Sequence, residues 1–163
     1  MEDAVRALGH LALGTRLKRL GDRLQAHTQV VLEAAGVQVP ASHLPPLVAL
    51  QGGGPMAIGE LSRALGVTQP GVTRMTAALE AAGLVRSRAA SDDRRARVVE
   101  LAPAGRRLLA KLERRTFPLI EAAVREACGD ASGRFLARLA ALEDALDDSP
   151  LSARATRLAR RAR

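Results

Sequence analysis

Between residues 68 and 81 the chain reads TQPGVTRMTAALEA. Wound at 3.6 residues per turn, this run puts Val72, Met75, Thr76 and Leu79 on one stripe and Gln69, Pro70, Gly71, Thr73, Arg74 and Ala77 on the other. The second face is small and polar near its start and carries one arginine. A short distance on, SDDRRARVVEL (91–101) sets two acids and three arginines before a valine-rich run, with Arg86 and Arg88 just upstream. A small polar helix face lets a backbone come close to a ligand. Its leading N–H groups can meet phosphate, and a few side chains can reach base edges in a major groove. Arginines on a neighbouring loop could reach phosphate or a narrow minor groove.

These groups need a scaffold. ELSRALGV (60–67) supplies a preceding helix over 57–65, with Leu61 and Leu65 facing inward. Gly66 breaks that helix, Val67 plugs the turn, and Thr68 caps the second helix with Pro70 in its first turn. An ordinary helical hairpin with a solvated face would read the same way up to this point. The next twenty residues separate the two possibilities. Gly83-Leu84-Val85 leaves the helix as a strand, Ser91-Asp92-Asp93 turns, and Val98-Val99-Glu100-Leu101 returns. Two helices at a tight turn with a basic hairpin directly after them make a winged helix-turn-helix.

Composition agrees. The 163 residues are 47% hydrophobic, enough for a core, and carry a formal charge of +8, which favours an anionic partner. Arginine enrichment can also be genomic bias, so charge alone decides little. There is no Trp or Tyr, and Phe117 and Phe135 are the only aromatics. Single-stranded nucleic acids are usually held by aromatic stacking, so a duplex is expected. The charge-free stretch 34–59 contains four prolines and five glycines and cannot be a membrane helix. Met1-Glu2-Asp3 lacks the basic-then-apolar order of a signal peptide, and the lone Cys128 suits a reducing compartment. A cytoplasmic protein is expected.

On either side of the lobe the apolar spacing is helical. Leu13, Leu17, Leu20, Leu24, His27 and Val31 step along one helix over about 3–35, weakened by Gly9, Gly14 and Gly21 and ended by Gly36 and Pro40. A short helix with Pro45 and Pro46 in its first turn comes next, and then a flexible break at Gly52-Gly53-Gly54-Pro55. Toward the C-terminus Leu108, Leu109, Leu112, Leu119, Ile120, Ala123 and Ala127 share a face, with a kink expected at Pro118. Gly129 stops this helix and Asp130 caps the next, whose apolar side is Phe135, Leu136, Leu139, Leu142 and Leu146. A basic tail, expected to be solvated, lies beyond Pro150.

The segments ELSRALGV, TQPGVTRMTAALEAAGLV, the wing residues Asp93-Arg94-Arg95, and VELAPAG resemble the MarR family (multiple antibiotic resistance regulators) over about 47–112. The resemblance implies a mainly α fold with a small β-hairpin wing. It places a winged lobe at 44–102, dimerisation helices at 1–36 and 103–148, and the basic tail at 149–163, within a single family-type domain. It further implies a homodimer bound to a palindromic double-stranded operator, with a possible small-molecule effector between helices and lobes. Thr68, Gln69, Pro70, Gly71, Thr73, Arg74 and Ala77 then face the major groove. In the family pattern the acid matching Asp93 pairs with a nearby arginine, and the arginine matching Arg95 enters the minor groove. Asp92, Arg94 and Arg97 are supporting charge and turn residues, and either Arg86 or Arg88 can stand in for the family's arginine beside Asp93. Bracing spares side-chain entropy on the order of 1–2 kcal/mol. Three positions depart from the pattern. Ser87 stands where the family has arginine, and Ala102 removes the usual cap of the post-wing helix, at a cost of about 1 kcal/mol. Pro45 and Pro46 shorten a helix that is normally longer.

Other chemistry is poorly supported. His10, His27 and His43 are far apart in sequence and suit surface or partly packed positions, not metal ligation. Cys128 reads as a structural thiol. The sequence has no recognisable catalytic constellation or phosphate loop, and no cofactor, metal site or membrane partner is expected. The expectation is a homodimeric transcriptional regulator, most simply a repressor. The rival is a non-specific nucleoid or membrane-surface protein acting through charge alone.

Overall fold

A computed structural model describes residues 3–89, 97–129 and 132–162. The chain divides into two compact units, Met1–Ile120 and Glu121–Arg163.

The first unit opens with α1 (Ala4–Ala7), capped by the Asp3 carboxylate, which accepts from the Val5 amide at 3.1 Å. The single helix expected over 3–35 is interrupted. Gly9 takes the left-handed conformation, φ +54°, and a 3₁₀ turn (Gly9–Ala12) redirects the chain into α2 (Leu13–Ala34). An ion pair across the break, Arg19 Nη2 to Asp3 Oδ2 at 2.6 Å, fastens the two pieces. Leu32 at the end of α2 is fully buried, together with Val37 and Val39 just beyond, whereas Leu20, Leu24 and Val31 are exposed.

After a 3₁₀ turn (Ala41–His43), α3 (Leu44–Gly53) starts with Pro45 and Pro46 in its first turn. It runs through Gly52 and Gly53, so the break expected there begins only at Gly54. Burial of Leu44, Pro46, Leu47 and Leu50 outweighs the poor helix propensity of the two glycines, about 1 kcal/mol each. A two-residue strand, β1 (Met56–Ala57), leads into α4 (Ile58–Leu65) and α5 (Gln69–Ala81). The hairpin strands are β2 (Val85–Ala89) and β3 (Arg97–Leu101). The sheet is antiparallel in the order β1-β3-β2, which puts β3 at the centre. Val85, Val99 and Leu101 turn their side chains into a core shared with Leu61, Val72 and Leu79.

Next comes α6 (Pro103–Cys128). Its buried line is Gly105, Leu109, Leu112 and Thr116, with Leu108 and Ile120 partly covered. The longer stripe read from the sequence is not buried throughout, since Leu119 is 66% exposed and Ala123 and Ala127 are exposed as well. The lobe's core reaches along α6 only as far as Ile120.

The second unit contains α7 (Ser132–Asp148) and α8 (Leu151–Arg161). Asp130, the expected cap of α7, lies outside the described residues. On α7, Leu139 and Leu142 are half-buried and Phe135, Leu136 and Leu146 exposed. The basic tail is helical. Arg154 donates to the carbonyls of Ser149 (2.8 Å) and Ala145, fixing the start of α8 against the last turn of α7. Arg157, Arg160 and Arg161 occupy one arc of α8, and Leu151, Ala155 and Leu158 another.

Candidate nucleic-acid interface

The turn between α4 and α5 is closed by polar contacts. The Ser62 hydroxyl donates to the Val67 carbonyl at 2.6 Å, the Val67 amide donates to the Ser62 carbonyl at 3.2 Å, and Gly66 sits at φ +63°. Val67 is 40% exposed, so it does not plug the turn as expected. At the other end of α4 the Glu60 carboxylate accepts from the Ala57 amide at 2.8 Å.

Thr68 caps α5 as expected, its hydroxyl oxygen accepting from the Gly71 amide at 3.4 Å. The cap narrows one sequence expectation. Pro70 has no N–H, the Gly71 amide points to Thr68 Oγ1, and the Val72 amide bonds the Thr68 carbonyl at 3.0 Å. The role of leading amides toward phosphate therefore narrows to Gln69. The two faces separate as read. Val72, Thr76 and Leu79 are buried, with Met75 half-buried. Thr68, Gln69, Pro70, Thr73, Arg74 and Ala77 are exposed, and Gly71 is partly so. The Thr73 hydroxyl donates to the Gln69 carbonyl at 2.9 Å, which leaves its methyl and lone pairs for a ligand.

On the hairpin, side chains alternate. Val85 and Ser87 share the face of Val99 and Leu101, while Arg86 and Arg88 share the opposite face with Glu100, the register partner of Arg86. Glu100 accepts from Arg86 Nε at 2.6 Å and forms an ion pair with Arg88 Nε at 3.6 Å, and its side chain is 13% exposed. Partial burial by itself pushes its carboxyl up, but Arg86 and Arg88 together outweigh this and hold it below the usual glutamate range. On the other face, the Glu80 carboxylate near the end of α5 accepts from the Ser87 amide (2.9 Å) and hydroxyl (3.2 Å). Sequence reasoning singles out neither Glu80 nor Glu100. Strand alternation opposite Arg86 is a signal for Glu100, but Glu80 gives no local signal. Arg97 is described and exposed. Ser91, Asp92, Asp93, Arg94 and Arg95 lie outside the described residues.

His10 and His27 are exposed and His43 is half-buried, with Nδ1 buried and without a partner among the described residues. Among the described residues no group of His, Cys, Asp or Glu could hold a metal, and no helix is long and apolar enough to cross a membrane. Cys128 is half-buried. A cavity of about 350 Å³ has Lys111, Arg114 and Arg115 in its described lining.

The α4-turn-α5 pair, the three-stranded sheet and the packed α6 define a winged helix-turn-helix lobe. The model of the MarR family matches residues 37–96, which span most of this lobe. Solved structures agree over most of the chain. The transcriptional repressor CouR, bound to a 23-mer DNA duplex, is 27% identical with a TM-score of 0.71, covering 83% of this chain and 96% of its own. BpsR of Bordetella bronchiseptica, whose DNA binding is regulated by 6-hydroxynicotinic acid, is 22% identical with a TM-score of 0.69, covering 81% and 92%. A probable transcriptional regulator from Pseudomonas aeruginosa is 24% identical with a TM-score of 0.66, covering 79% and 94%. No curated protein matches the chain.

Proposed function

We propose that the chain is a cytoplasmic, homodimeric transcriptional regulator that binds a palindromic promoter site and represses it until a small effector releases the DNA. The observation that carries this reading is the exposed face of α5, which includes Gln69, Thr73 and Arg74, beside a hairpin whose Arg86, Arg88 and Arg97 are also exposed. In this reading α5 enters the major groove and the wing reaches the flanking minor groove, with Arg95 at the tip braced by Asp93. CouR is a repressor with the same lobe, and its structure contains duplex DNA. Dimerisation is supported by Leu11, which is 90% exposed, and by Leu20 and Leu24 beyond it, because so much apolar surface suits a second copy. The effector part rests on the cavity lined by Lys111, Arg114 and Arg115, which suits a small anion. BpsR responds to an aromatic carboxylic acid. A genome-wide map of bound sites tests the reading. A shared inverted repeat at a few promoters supports it, and uniform occupancy that tracks only DNA accessibility would show a non-specific binder.

A further inference from the structure

Strand β2 is gripped by a carboxylate on each face. Ser87 gives both its donors to Glu80 of α5, and Arg86 and Arg88 converge on Glu100 of β3. We propose that Glu80 and Glu100 are positioning residues for DNA recognition: together they lock the recognition helix and the wing strand into one rigid reader, so two acids strengthen binding to a polyanion. The inference rests on the proposed regulator function and names residues which that function does not otherwise use.

The chemistry of each contact supports this. The Glu80–Ser87 link spans the junction where the chain leaves α5, the point at which helix and wing could swing relative to each other. Two bonds to one carboxylate fix both the distance and the rotation. Glu100 meets Arg86 through Nε, so the two Nη groups stay available for phosphate or a base edge. Two arginines against one acid leave a net positive charge, and each guanidinium is held before DNA arrives. A helix contact and a wing contact on one duplex reinforce each other only if their spacing is fixed, so the locks bear on sequence discrimination more than on general affinity.

The test uses the full-length protein with two duplexes of equal length at one salt concentration, the site recovered from the binding map and a scrambled version. Three single variants, Glu80→Ala, Ser87→Ala and Glu100→Gln, and the double variant Glu80→Ala/Ser87→Ala are titrated against both. Each single variant is expected to bind the site about tenfold more weakly, with binding to scrambled DNA unchanged or tighter, and the double variant to lose less than the product of its singles. Ser87→Ala removes a single oxygen, and a cooperative thermal unfolding transition well above the titration temperature checks that every variant is folded. Hydrogen exchange of the Ser87 amide, slow in the parent and fast in Glu80→Ala, reads the lock without DNA. Tighter binding of both duplexes by Glu80→Ala and Glu100→Gln would show that the acids act only as repelling charges and would overturn the proposal. A parent protein that does not distinguish the two duplexes would instead overturn the regulator function, and the proposal with it.

Discussion

Gly105 of α6 packs so closely on the carbonyl oxygen of Leu84 that a Cβ at its position would lie 2.2 Å away. The same carbonyl accepts from the Ala102 amide at 2.9 Å, so it is held in place and cannot yield cheaply. This contact sets α6 against the end of the winged lobe. Gly105→Ala should destabilise the fold by about 1–3 kcal/mol, as overpacking does at a tight site. Urea unfolding checks it, and an unchanged midpoint would mean the junction gives way more easily than its geometry indicates.

The wing carries a pH dependence of definite sign. Arg86 and Arg88 hold the Glu100 carboxyl below its usual range in the folded chain, outweighing the upward push of burial. Its contribution to stability is therefore complete above the usual glutamate range and is lost as pH falls through that range and below it. Glu100→Gln should flatten the acid limb of a plot of unfolding midpoint against pH and lower the midpoint by a constant amount above the glutamate range. Parallel acid limbs in parent and variant would contradict the pairing.

Much of the recognition helix is legible in the sequence. A strict segregation of Val72, Thr76 and Leu79 from Gln69, Thr73 and Arg74 fixes a helix face whatever packs around it, and Thr68 before Pro70 marks the start. The hairpin is legible from Val98 to Leu101 for the same reason. The features that escape a sequence reading depend on tertiary contacts. Nothing local pairs Glu80 with Ser87, because the partners come from a helix and a strand that meet only after folding. The two residues of β1 are too few to show alternation, and α3 runs through Gly52 and Gly53 only because its Leu47 and Leu50 are buried. Gly9 reads as a weak point in a helix and not as a break, since a glycine's sign of φ is invisible in sequence. In α8 the spacing of Leu151, Ala155 and Leu158 is present, but short, arginine-rich ends are usually solvated.

Arg154 shows how that last helix is held. It donates to two carbonyls at the end of α7, so it acts as a cap and is not free to lie along phosphate. Arg154→Ala should fray α8, a loss on the order of 1 kcal/mol, visible as faster amide exchange over 151–161 with α5 unaffected. Unchanged exchange there would mean that α8 is fixed by something else.

Exposed Leu20 and Leu24 on α2 are expected to be covered by a second copy of the chain. Leu24→Arg should shift the protein toward monomer and, because a palindromic site needs both lobes, weaken operator binding by well over tenfold. Sedimentation at micromolar concentration separates the outcomes. A parent chain that is already a folded monomer would remove the dimer from the account.

The central claim is that α5 and the wing read sequence in duplex DNA. Equilibrium titration of the full-length protein against its mapped palindrome and a scrambled duplex, at one physiological salt concentration, tests it most directly. The account predicts a preference of at least about a thousandfold for the palindrome, in the range of specific DNA-binding proteins. Equal affinities that fall with the same slope against salt would contradict it, because binding would then come from charge alone.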